Sequence, residues 1–313
     1  MDDVTDTVFR QVIMDCAAPD LLFTEFVNVD GLQSPGRDKV AVKLGHAVRE
    51  KPLIAQIWGL NPENFKTTAE QIVKGEFGLF QGIDLNMGCP IKDIVKNGAC
   101  SGLINNRDLA EDIIQATKAG ANGKLPISVK TRLGYNEIDP TWYEFLLKQG
   151  LDMLTIHGRT KSQMSKVPAN WPAIGNVVKL RDKLSPKTLI VGNGDVKDFR
   201  HGVQLAKTYK VDGIMIGRAI FDDPYVFKSQ SPWKDMAAID KLELFKKHVR
   251  LFAKTWGRKR HTRVLNKFCK VYVNNFDGAK ELREQLMAAS NTNELLKLIN
   301  QAEAKQVLQG EPA

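Results

Sequence analysis

The sequence has no apolar run approaching the roughly 20 residues that a bilayer-spanning helix needs. It has few cysteines (Cys16, Cys89, Cys100 and Cys269), and none in the paired spacing of a zinc site or a small disulfide scaffold. The opening MDDVTDTVFR starts with acids and lacks the apolar core of a secretory signal. No GxGxxG nucleotide fingerprint, internal repeat or low-complexity tract is present. These absences exclude a membrane span and a disulfide framework. They set the expectation of a cytoplasmic protein with neither a metal nor a membrane partner.

The most informative absence is local. Between Leu244 and Phe276 there is no Asp or Glu, while the same stretch holds ten Lys or Arg with Phe252, Trp256, Phe268 and Tyr272 interleaved. The chain as a whole carries a formal charge of +9. A lone basic run reads as a solvated helix face as readily as a binding surface. A run that excludes every acid reads better as a surface for a polyanion such as nucleic acid.

The rest of the chain alternates strands with helices. Seven short apolar runs recur: LLFTEFVNV from Leu21, PLIAQIWG from Pro52, GIDLNMG from Gly82, PISVKTRLG from Pro126, MLTIHGR from Met153, TLIVGNGD from Thr188 and GIMIGRA from Gly213. Most are separated by helical spacing, as in NFKTTAEQIVKGEFG after Asn61-Pro62, and in DLAEDIIQATKAG with Asp108 as N-cap and Gly120 as stop. This pattern predicts a parallel sheet with crossover helices. A (β/α)8 TIM barrel needs eight strands. The first visible segment, VTDTVFRQVIMDCAA, reads as the helix after strand one, with Thr5 and Asp6 at the N-cap. The expected fold is therefore α/β, a TIM barrel whose first strand is missing or truncated, with an open seven-stranded sheet as the alternative. A strand of about 5–6 residues with a short lead, starting ~8–15 residues before Met1, would fill the slot. After Ala219 strands stop and helices follow, with Pro224 and Pro232 at the join. The expected domains are a barrel over 1–234 and a basic helical domain over 235–313.

Barrel enzymes carry their chemistry at the C-terminal strand ends. There the sequence places Gln56, Asn86, Cys89, Lys130, Arg132, His157, Arg159, Asn193, Asp195 and Arg218. Any one of these is more often structural than functional; a polar group on six successive strands is hard to explain by packing. Gly192-Asn193-Gly194-Asp195 and Gly217-Arg218 lie where barrels often bind phosphate, although tight turns use glycine equally well. Lys130 suits a developing anion or a reduced cofactor. Cys89 is delivered to the rim by the strand phase, and an ordinary thiol, with a pKa of about 8.5, holds its proton at neutral pH.

With these residues in place, DLNMGCP, KNGACSGLI, SVKTRLG, IHGRT, VGNGD and GIMIGRA together resemble the tRNA-dihydrouridine synthase family. VTDTVFR resembles the segment that follows its first strand, and FTEFVNVDGL its second strand and loop. The resemblance implies an FMN-dependent reduction of uridine in tRNA, with NADPH as reductant; the chain is separately expected to be a monomer. It implies Cys89 as proton donor, and Met1, Gln56, Lys130, His157, Asn193, Gly194, Asp195, Gly217 and Arg218 as the FMN site. It places Asn86 and Arg132 near the uracil. With Arg159 and the basic Arg258, Lys259 and Arg260, these form the expected tRNA contacts. Two departures stand out: only Met1 remains of the family's Ala-Pro-Met stretch, and Ser165 and Val167 stand near the places of a usual Tyr and Gly. The rival readings are an FMN barrel acting on a free pyrimidine and a tRNA-binding homologue with impaired catalysis.

Overall fold

The structure, a computed structural model, describes residues 1–257 and 259–308. The chain forms two compact units. One holds Met1–Asp2 and Asp20–Gly217; the other holds Asp3–Pro19 and the chain from Arg218 onward. Packing thus divides the chain at 217/218 rather than at the expected 234/235, and it gives the first helix to the helical unit.

The barrel unit is built on a parallel sheet of β1 (Leu22–Phe23), β2 (Val27–Asn28), β3 (Leu53–Trp58), β4 (Gly82–Met87), β5 (Ile127–Arg132), β6 (Met153–His157), β7 (Leu189–Asn193) and β8 (Gly213–Met215). The order is β1-β3-β4-β5-β6-β7-β8, with β2 also on β3. Each expected run supplies its strand. Among the described residues β8 does not pair with β1, so the sheet is an open arc.

The run from Leu21 is broken in two. Phe23 pairs with Ile54 and Val27 with Ile57, so one extra residue lies on the first strand, a bulge. Thr24 covers the gap: its hydroxyl accepts from the Gln56 backbone N–H at 3.0 Å.

The helices Pro62–Val73 and Arg107–Ala121 cover part of the sheet. A Cβ at Gly120 would lie 2.2 Å from the Lys66 carbonyl, so this glycine allows close approach of the two helices instead of ending one. The N-cap is Asn106, whose Oδ1 accepts from Leu109 N–H, and Asp108 sits in the first turn. The stop is Asn122 in the left-handed region, which asparagine tolerates without glycine.

The helical unit contains Thr7–Ala17, Ala238–Trp256, Asn266–Tyr272, Ala279–Ala288 and Thr292–Leu308. Its core is aromatic. Phe9 lies 4.6 Å from Phe268 and 5.8 Å from His248 between ring centroids. His248 meets the Tyr272 hydroxyl at 3.0 Å, and burial lowers its pKa to about 4, keeping it neutral.

Asp6 ties two distant parts of this unit together. One carboxylate oxygen caps Thr7–Ala17 at Phe9 N–H, and the other accepts from the Trp256 indole at 2.7 Å and from Arg260 at 3.1 Å. Asp6→Ala removes the cap and orphans a buried indole N–H. The expected cost is about 2 kcal/mol or more, so amides of Phe9–Ile13 should exchange roughly thirtyfold faster. Unchanged protection there would show that the carboxylate does not hold the helix.

Candidate active site

Strand register sets the site. Gln56 pairs with Asp84, Asn86 with Lys130, Arg132 with His157, and His157 with Asn193. In a strand, residues two apart share a face. Asp84 with Asn86 and Lys130 with Arg132 therefore line the same side of the sheet, toward its C-terminal edge.

A hydrogen-bonded chain runs through this face. The Ser128 hydroxyl donates to Asp84 at 2.6 Å, and the Gln56 amide donates to the other Asp84 oxygen at 2.8 Å. Asn86 Nδ2 then donates to Gln56 Oε1 at 3.2 Å. That orientation leaves Asn86 Oδ1 to accept from the backbone N–H groups of Gly88 and Cys89, at 3.1 and 3.0 Å. Asn86, expected near the uracil, is buried and organises the Cys89 turn. Asp84 is fully buried, and burial raises its pKa to about 6 against the two bonds that favour its anion.

Cys89 is half-buried. Its carbonyl accepts from Ser101 through N–H at 3.3 Å and hydroxyl at 2.8 Å. The neighbouring Cys100 is buried, with φ +53°, and its thiol donates to Cys89 sulfur. That bond, helped by the Ile91 N–H and by Arg132, lowers the Cys89 pKa to about 7, while the same bond and burial raise that of Cys100. Cys89 is therefore more acidic than an ordinary thiol, because a neighbour depresses its pKa. A Cβ at Gly88 would sit 3.2 Å from the Lys130 carbonyl, so the turn crosses close over β5.

Arg132 is buried, and three of its donors are engaged: Nε with Gly88 O at 2.7 Å, Nη1 with Thr160 O at 3.0 Å and with Met164 O at 2.9 Å. It links the cysteine turn to the loop that follows β6. Burial, opposed by Cys89, lowers its pKa to about 10, so it stays charged. Arg159 is also buried and binds Asp195, Val167 O and His157. Both arginines, expected to meet tRNA, face inward and carry the loop that contains Ser165 and Val167.

Lys130 is half-buried, and its ammonium makes no hydrogen bond or ion pair to the described residues. Burial and Arg132 lower its pKa to about 8. The Nδ1 of His157 likewise has no partner in the described chain. These unmatched donors beside a buried amide fit the carbonyl oxygens and ring nitrogens of a flavin, and so does the cationic field around Lys130.

The phosphate end is mixed. A Cβ at Gly217 would meet nothing within 4 Å, which leaves the backbone approachable. Gly192 is different: a Cβ there would lie 2.3 Å from the Trp171 ring, so this glycine accommodates an indole, not an anion. Asn193 donates to Met215 O at 2.8 Å and joins the ends of β7 and β8. Gly217 ends the barrel unit, and Arg218 begins the turn Arg218–Phe221 of the helical unit. Met1 is exposed on the barrel unit.

In the helical unit, exposed Lys254, Lys259, Arg263 and Lys270 make no side-chain hydrogen bond or ion pair among the described residues. Arg260 is only 13% exposed, stacks over Trp256 at 4.8 Å and pairs with Asp6, so it is structural. Arg258 lies outside the described residues. No helix of the described chain is long and apolar enough to cross a membrane.

A parallel barrel-type sheet with a thiol and unmatched donors along its C-terminal edge defines an α/β-barrel enzyme. The chain belongs to the dihydrouridine synthase family, whose profile matches residues 1–308. It is 43% identical over 309 residues to the "Probable tRNA-dihydrouridine synthase" of Staphylococcus aureus strain COL, covering 97% of this chain and 92% of that one. It is 43% identical to the "Probable tRNA-dihydrouridine synthase 2" of Bacillus subtilis strain 168, covering 97% and 93%. Among solved structures, histamine dehydrogenase from Rhizobium sp. 4-9 shares the fold. Its TM-score is 0.51 at 13% identity, over 80% of this chain and 47% of that one.

Sequence reasoning missed Asp84, Ser101, Ser128 and the role of Cys100. Asp84 carried a signal: an acid in an otherwise apolar strand, two residues before Asn86 on the same face.

Proposed function

We propose that this chain reduces a uridine of tRNA to 5,6-dihydrouridine, with FMN as cofactor and NADPH as reductant. The observation that carries the reading is the Cys89 thiol, its backbone turn held on Asn86 and its sulfur on Cys100, in the same strand-end cluster as the unmatched donor of Lys130. Gln56, Lys130 and His157 would hold the flavin ring, and the backbone at Gly194 and Gly217 its phosphate. When bound, FMN supplies the hydride that adds to C6 of the uracil.

The protein's part is the proton and the field. Cys89 gives its Sγ proton to C5, and the hydride plus this proton complete the reduction of the C5–C6 bond. The resulting thiolate is stabilised by the Cys100 donor, the Ile91 N–H and Arg132. Lys130 would supply a positive charge to the flavin and uracil rings as electron density builds there. Arg132 holds the acid turn in place through Gly88 O. The target base must leave its stack to reach a barrel mouth, and the exposed cations of the helical unit would bind the phosphates that position it.

The test is to map dihydrouridine in tRNA from cells with and without the gene, alongside purified protein given free uracil. Loss at defined positions, with no turnover of the free base, is the expected result. Unchanged dihydrouridine would sink the proposal, and turnover of the free pyrimidine alone would favour the rival flavin barrel.

A further inference from the structure

We propose that Arg159 and Asp195 are positioning residues that lock His157 as the neutral Nδ1–H tautomer, so that its imidazole serves as a hydrogen-bond donor and not as an acid. The tautomer follows from the geometry alone; its use in the reaction rests on the function proposed above.

Arg159 Nη1 lies 3.0 Å from His157 Nε2. A guanidinium has only donors, so Nε2 must offer its lone pair. A neutral ring with a lone pair on Nε2 carries its hydrogen on Nδ1. An imidazolium would set N–H against N–H and is disfavoured by the same contact. One hydrogen bond thus selects against both the charged ring and the other tautomer.

Arg159 is not free to turn away. Its side chain is 3% exposed, Nη2 donates to Asp195 Oδ2 at 2.5 Å, and Nε donates to Val167 O at 2.5 Å. Asp195 is itself anchored by the Ala169 N–H at 2.8 Å. The strand register explains how these residues meet. His157 pairs with Asn193, and the chain then passes through Gly194 at φ +122° to Asp195. A Cβ at Gly194 would fall 2.8 Å from the Ala169 Cβ and 3.1 Å from the His157 ring, so glycine there lets the trio close.

The surrounding charge acts the same way. Burial, then Lys130, Arg132 and Arg159, oppose protonation of His157, and Asp195 alone favours it; the balance lowers its pKa to about 2. A neutral N–H can polarise a carbonyl or ring nitrogen without surrendering its proton. Proton delivery is then left to Cys89. Asp195 and Arg159, expected to contact FMN and tRNA respectively, are instead assigned to His157.

Long-range 1H–15N NMR of the full chain labelled with 15N-histidine tests this, with His157→Gln identifying the signal. The expected wild-type spectrum shows a protonated Nδ1 and a bare Nε2, unchanged from about pH 5 to 8. In Arg159→Met no donor holds the Nε2 lone pair and the ring should populate Nε2–H, while burial, Lys130 and Arg132 still oppose its protonation. Arg159→Lys keeps a cationic donor and should restore Nδ1–H. If Arg159→Met does not fold, Asp195→Asn, which loosens the same guanidinium, should show a mixture of tautomers. An Nε2–H ring in the wild type, or an unshifted Nδ1–H ring in Arg159→Met and Asp195→Asn, would overturn the proposal. The measurement needs neither tRNA nor uridine reduction, so failure of the functional reading leaves it intact.

Discussion

Cys89→Ala is expected to retain flavin and to accept hydride from NADPH, yet to reduce uridine in tRNA about 10²–10⁴-fold more slowly, the usual worth of a positioned general acid. The turn itself should survive, because Asn86 and Ser101 hold it through backbone atoms of Gly88 and Cys89, not through the thiol. Full tRNA-reducing activity in this variant would remove Cys89 from the chemistry.

Its partner gives a sharper test. Cys100 donates to the Cys89 sulfur and stabilises the thiolate, so it makes Cys89 the more acidic of the two. A proton donor is active in its protonated form. The uridine step should therefore fall as pH rises through the Cys89 value of about 7. Cys100→Ala removes the largest lowering influence and should move this alkaline limb upward toward the ordinary ~8.5. Below the limb its rate should remain within a few-fold of the wild type. A loss equal to that of Cys89→Ala across the whole pH range would mean that Cys100 is the acid. An unmoved limb would mean that the two thiols do not communicate. The single-turnover rate of reduced enzyme with tRNA is the measurement, since it isolates this step from flavin reduction.

The strand ends were legible because period-two alternation and β-α spacing are local properties of sequence. So were the Asp6 cap and the polar rim from Gln56 to Asn193. What those polar groups touch was not legible. Arg132 and Arg159 have the composition of phosphate binders, but pairing of β5, β6 and β7 places their guanidiniums against backbone carbonyls and Asp195. Gly192 and Gly194 look alike in the sequence; an indole beside one and an imidazole beside the other separate them. The Cys89–Cys100 contact depends on a left-handed backbone at Cys100, which non-glycine residues seldom adopt and no spacing rule predicts. The division at 217/218 was hidden for a similar reason: the helix Thr7–Ala17 leaves the barrel pattern to pack its Phe9 among aromatic rings far along the chain.

The same distinction between composition and placement decides which cations should meet tRNA. Within the acid-free stretch, Lys246 is buried against Glu243 and Glu303, Lys247 pairs with Asp15, and Arg260 pairs with Asp6. Reversing those charges would damage the helical unit and report on stability. Lys254, Lys259, Arg263 and Lys270 are exposed, and their charges are unneutralised by any side chain among the described residues. Replacing all four by Glu should leave flavin reduction by NADPH unchanged and weaken tRNA binding. Each phosphate contact contributes ~0.7–0.9 to the slope of log K against log salt, so the loss of four should flatten it by roughly 3. Extrapolated from molar to physiological salt, that slope change corresponds to roughly 10²–10³ in affinity. Binding isotherms at several salt concentrations separate this outcome from a local one, because loss of a single specific contact would weaken binding with a change of slope near one. A slope that does not move would make the stretch a solvated face and leave tRNA recognition to the barrel unit.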